Sequence, residues 1–165
     1  MKSTKTFTTF QLTALVLLRI LIGWHILYEG ISKLLMPNWT SALFLRDSQW
    51  ILSGFADWIV SNDGLLSAVD FLNTWGLIAI GAGLILGLFT RLAAYAGMAL
   101  LFMYYLNNIP LIGIEYSMPA EGNYLIVSKT LIEAAALLVL AIFPTGSAFG
   151  LDIFLSRFTK SKNEE

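Results

Sequence analysis

The sequence predicts an all-α integral membrane protein. It is one bundle of four transmembrane helices, both termini cytoplasmic, with short interfacial helices in the outer loop between helices 1 and 2. Three observations carry this. Hydrophobic residues make up 57% of the 165 and charged residues only 13%, against roughly a quarter charged in ordinary soluble domains. The apolar residues gather into four blocks, each near the roughly 20 residues that a helix needs to cross a bilayer. Lys and Arg collect at alternate ends of those blocks, on the side that the positive-inside rule makes cytoplasmic. Four spans leave little length for a soluble domain, so the chain reads as a single membrane domain over 1–165.

Helix 1 covers 11–36 and is ended by Pro37. Lys2 and Lys5 precede it as in a signal peptide. The stretch is too long for one, however, Arg19 interrupts it, and no small-residue cleavage site follows, so it reads as a retained helix. Helix 2, 73–89, is rich in glycine, and Gly83 with Gly87 forms a GxxxG pair that admits a neighbouring helix closely. Arg91 marks a tight turn. Helix 3, 92–114, carries a second small pair, Ala93 and Gly97; helix 4, 124–143, stops at Pro144 and is followed by a cytoplasmic tail, 145–165. Lys2, Lys5, Arg91, Arg157, Lys160 and Lys162 fall on one side of this arrangement. The other side has Arg46 and the acidic Asp47, Asp57, Asp63, Asp70, Glu115 and Glu121.

The outer loop, 37–72, is not simply hydrophilic. Leu43, Leu45, Trp50, Ile51, Phe55, Trp58 and Ile59 recur among Arg46, Asp47, Ser53 and Asp57, the pattern of short helices lying in the interface. Trp39, Trp50, Trp58 and Trp75 suit an aromatic belt at the outer headgroups. The loop reads either as a lid over the outer mouth of the bundle or as an interfacial anchor.

A net charge of −1 gives no reason to expect nucleic acid. The absence of cysteine excludes disulfides, thiolate-held iron–sulfur clusters and dithiol chemistry. One histidine argues against an intrinsic haem or metal site. Any redox cofactor is then diffusible or belongs to a partner.

Ionisable groups in hydrocarbon cost roughly 2.5–3.5 kcal/mol on insertion scales, so each asks for a reason. His25, Glu29 and Lys33 follow one another at i, i+4 and i+8 along one side of helix 1, and Lys129 and Glu133 are i, i+4 on helix 4. Asn107, with Tyr104 and Tyr105, lies toward the outer end of helix 3. These groups share a depth, which suggests an outer-facing polar pocket between helices 1, 3 and 4. There His25 and Glu29 are candidate proton carriers, with Lys33, Tyr104, Asn107, Lys129 and Glu133 as substrate contacts. The competing reading is a buried salt-bridge network, Glu29–Lys129 or Glu133–Lys33, that only fixes helix register. Arg19 lies roughly 9 Å below His25 along the axis and either packs against a polar group or snorkels toward the headgroups.

Three places resemble the DoxX/DoxD-like family of small bacterial membrane proteins. The first is helix 1 with Arg19, Gly23, Gly30, Lys33 and Leu34. The second is the turn from Gly81 to Ala94 with Gly83, Gly87, Thr90 and Arg91. The third is the closing stretch Gly146, Gly150, Leu151 and Asp152. The resemblance implies a four-helix, multi-pass protein of the bacterial inner membrane, in which Gly83 and Gly87 serve packing and Arg91 the turn. It also implies a link to thiosulfate:quinone oxidoreductase or to other membrane oxidoreductase assemblies with soluble or membrane partners. Three function classes stay open: a quinone-linked oxidoreductase subunit using a diffusible quinone, a non-redox binding or transport module for a small solute or lipid, and a scaffold for a soluble enzyme. Association with a further copy of the chain is compatible with each.

Overall fold

A computed structural model describes residues 7–49, 51–111, 116 and 123–153. Lys2, Lys5, Trp50, Glu115, Glu121 and the basic tail residues lie outside the described residues. The elements in chain order are α1 (Thr9–Leu35), α2 (Ala42–Arg46), α3 (Ser53–Val60), α4 (Asp63–Leu86), α5 (Thr90–Asn107), β1 (Asn123–Tyr124), β2 (Val127–Ser128) and α6 (Lys129–Ile142).

Local sequence explains the ends. A capping box, Thr8 with Gln11, starts α1, and Met36 in extended conformation before Pro37 stops it. Asn62 caps α4 by accepting from the Leu65 amide, so α4 begins ten residues before the apolar block that announces it. Ser128 caps α6, and an antiparallel hairpin occupies 123–128, where the apolar pattern predicts the first turns of helix 4. α1 and α4 are each long and apolar enough to cross a membrane. At 1.5 Å per residue, α5 and α6 reach about 27 and 21 Å, short of a hydrocarbon core of about 30 Å.

α1 and α4 pack antiparallel on glycine. A methyl at Gly23 would stand 3.0 Å from the Leu84 side chain, and one at Gly30 3.0 Å from that of Leu77. At Gly81 it would stand 2.5 Å from the Leu27 backbone nitrogen. α5 packs chiefly on α6, and contacts between α4 and α5 and between α1 and α6 close the ring. Leu77, Leu84, Ala94, Leu137, Leu140 and Ala141 form its centre, all 1% exposed or less. The outside carries Leu17, Leu21, Trp24, Phe102 and Ile132, as suits a molecule whose solvent is lipid.

Gly83 and Gly87 do not share one facing helix as a GxxxG pair would: Gly83 meets Ala93 of α5, and Gly87 the closing turn. Gly87 ends α4 at φ +66°, the left-handed conformation glycine favours at a helix C-terminus. A methyl there would meet the Gly150 Cα at 2.6 Å, so it packs on the chain's closing turn. Gly83 faces Leu88 and Ala93 across the α4–α5 turn.

Candidate functional site

Lys33, in the last turn of α1, points into the loop end of the bundle. Its ammonium lies 3.0 Å from Glu29 Oε1, 2.9 Å from Asn73 Oδ1 and 3.3 Å from the Tyr104 hydroxyl. Asn73 Nδ2 donates to the same hydroxyl at 2.6 Å. The ammonium also sits 5.0 Å from the Trp39 ring centroid and 5.2 Å from that of Tyr104, within range of cation–π attraction. These side chains floor a cavity of about 410 Å³. Its walls and roof are Met36, Trp39, Leu43 and Phe44, the last packed edge-on against Tyr104 at 5.5 Å.

The roof is α2, and it is pinned from two sides. Asp70 Oδ1 accepts from the Ser41 amide at 2.8 Å and the Ser41 hydroxyl at 2.5 Å. Asn107, 4% exposed, donates from Nδ2 to the Phe44 carbonyl at 2.7 Å. Asn38 adopts φ +56°, a left-handed conformation that asparagine tolerates, as the chain leaves α1 for α2. In the loop after α5, Tyr116 donates to the Ile109 carbonyl at 2.7 Å. Burial first, and the Asp47 carboxylate second, raise its phenol above the ordinary tyrosine value.

The residues singled out by sequence fall into three groups. Glu29, Lys33 and Tyr104 line the cavity; Asn107 acts on it only through α2. His25 and Glu133 do not line it. They pair across the α1–α6 seam at 2.8 Å through His25 Nδ1, with the histidine side chain 56% exposed and the glutamate 14%. Lys129, the exposed first residue of α6, does not line the cavity either. The salt bridges Glu29–Lys129 and Glu133–Lys33 do not form; the acids pair instead with Lys33 and His25.

The third group braces the opposite end. Arg19, 3% exposed, donates from Nη1 to Thr145 Oγ1 at 3.0 Å and from Nη2 to the Phe149 carbonyl at 2.7 Å. It is therefore a packing residue turned inward, not one that snorkels. Asp152 caps α5 by accepting from the Phe89 amide at 2.7 Å, the Thr90 amide at 3.1 Å and the Thr90 hydroxyl at 2.7 Å. Arg91 Nε donates to the Ala141 carbonyl at 3.1 Å, tying the α5 start to α6.

Sequence reasoning missed Asn73 and the roof residue Phe44. Asn73 was legible only as one polar side chain at the edge of an apolar block. The floor it completes is a charge-balanced pair, Glu29 and Lys33, with two neutral polar groups. That arrangement can hold a neutral polar head under aromatic walls.

The DoxX family model matches residues 14–106, more than half of the chain, and every floor residue lies inside that match. Neither a curated protein nor a solved structure matches the chain. The chain belongs to the DoxX family, a membrane-associated family.

Proposed function

We propose that this DoxX-family chain is the membrane subunit of a quinone-linked oxidoreductase system, and that the cavity under α2 holds the ring of a diffusible quinone. In this reading the single domain crosses the bacterial inner membrane four times with both ends cytoplasmic. Lys2, Lys5, Arg91, Arg157, Lys160 and Lys162 fall together at the cytoplasmic ends in this topology, and their grouping supports that orientation. α5 and α6, though short, pack as a pair beside the two longer helices.

One observation carries the ring assignment: the Tyr104 oxygen accepts from both Lys33 and Asn73, which leaves its own O–H to donate to a ligand. The three Lys33 N–H groups are already directed at Glu29, Asn73 and Tyr104, and its charge is matched by Glu29. The site therefore has no surplus positive charge for a dianion such as thiosulfate. A neutral carbonyl finds the Tyr104 hydroxyl and the second Asn73 amide N–H, with Phe44 and Trp39 beside the ring.

Reduction of a quinone to its quinol takes two electrons and two protons. A chain without cysteine takes the electrons from an oxidoreductase partner. Tyr104 places one proton at the nearer ring oxygen, Lys33 restores it, and the partly exposed Glu29 exchanges protons with water, while the far ring oxygen takes the second proton from water. His25 and Glu133 stay outside these steps.

Tyr104→Phe tests the assignment. Loss of one neutral hydrogen bond, worth about 0.5–1.5 kcal/mol, weakens binding of 6-decyl-2,3-dimethoxy-5-methylbenzoquinone to the protein in nanodiscs about twofold to tenfold. Unchanged quinone binding in this variant, with thiosulfate competing in the parent, would move the site to an anionic solute.

A further inference from the structure

The cavity under α2 has a neighbour. A second cavity, about 290 Å³, lies between the last turn of α1 and residues 70–75 in the middle of α4, and shares Lys33, Met36, Asn38 and Trp39 with the first. On α4 the division between them is one residue wide. Asn73 lines the first cavity, while Thr74 lines the second together with Phe71 and Trp75. The Trp39 ring, held over the Lys33 ammonium, lines both and stands between them.

The second cavity opens outward. Leu34, Phe71 and Trp75 at its rim are 50%, 63% and 48% exposed, on the two helices long and apolar enough to span a bilayer. The charged groups on its walls are both engaged. Lys33 is held by the floor of the first cavity, and Asp70 by Ser41. What remains on its walls is Leu34, Met36, Trp39, Phe71 and Trp75, with the neutral Asn38 and the buried Thr74. A ligand arriving from water has no use for such a side arm, whereas one dissolved in the bilayer does.

We propose that the α1–α4 cleft is the bilayer-side arm of the binding site, and that it takes the apolar tail of a two-part ligand whose ring lies at Lys33 and Tyr104. Trp39 is the partition that the tail passes. The tail assignment rests on the ring-binding reading above; the opening of the cleft to lipid does not.

Two measurements separate these. In the first, the full chain keeps Trp39 as its one tryptophan, the other four replaced by Phe. It is placed in bilayers whose acyl chains carry bromine, and separately exposed to iodide in water. Trp39 fluorescence is expected to fall more with the brominated chains than with iodide. The reverse order, or equal quenching, overturns the lipid-side opening whatever the ligand proves to be. In the second, the decyl benzoquinone carries a diazirine at its tail end, and adducts are mapped by mass spectrometry with the tailless quinone as competitor. Competable adducts are expected at residue 34 and at 71–75. Competable adducts on α2 or α6 instead overturn the tail arm and leave the ring site standing. Absence of any competable adduct removes the ring site and the tail arm together.

Discussion

A methyl group at Gly81 would enter the backbone of α1. It would stand 2.5 Å from the Leu27 nitrogen, 2.7 Å from the Gly23 carbonyl oxygen and 2.7 Å from the Leu27 Cα. Comfortable carbon contacts begin near 3.5 Å, and no side chain is there to rotate away, so α1 must retreat by about an ångström. Overpacking of this kind costs about 1–3 kcal/mol, or about 2–4 °C of Tm per kcal/mol for a chain this long. The retreat also stretches the 2.9 Å contact between Lys33 and Asn73 that crosses the same interface, so quinone binding weakens with stability. Gly76→Ala is the control. It lies in the same helix with nothing within 4 Å of the added carbon, and alanine there gains about 0.5–1 kcal/mol. Thermal unfolding of both variants in one detergent reads the difference. A Gly81→Ala protein that melts at or above the Gly76→Ala protein would refute the close packing of α1 on α4.

Three further outcomes are expected. Asp152→Asn keeps one acceptor but loses the negative charge at the α5 N-terminus and part of the Phe89–Thr90 cap. It should lower stability by about 1–2 kcal/mol in thermal or denaturant unfolding. Asn107→Leu frees the Phe44 carbonyl, so amide exchange over residues 42–48 should quicken about twofold to tenfold, followed by hydrogen-exchange mass spectrometry. Glu133→Gln breaks the pair with His25 on the α1–α6 seam, and decyl benzoquinone binding should stay within a factor of two, because neither residue lines the cavity.

Much of this was legible in the sequence where a local rule acts. Pro37 and the Thr8–Gln11 box bound α1 within two residues of the apolar block. The Glu29–Lys33 pair follows from i, i+4 spacing alone. What sequence could not supply is rotation about the helix axes. His25 and Lys33 share one side of α1 by simple spacing, yet eight residues turn the helix by about 80°. That turn sends Lys33 to Asn73 and Tyr104, and His25 to Glu133. The two contacts also stand eight residues, about 12 Å, apart along α1, so one expected polar cluster became two. The start of α4 was hidden for a related reason. Asp63, Asp70 and Asn73 depress hydropathy over a stretch that is helical, and Asp70 and Asn73 are there to hold the roof and complete the floor.

The central claim is that a quinone ring lies against Tyr104. Its most direct test is solvent extraction of the gently purified protein, with quinone counted by mass spectrometry beside an identically prepared Tyr104→Phe protein. About one quinone per chain in the parent, clearly depleted in the variant, is the predicted result. Quinone absent from both, or present equally in both, would contradict it.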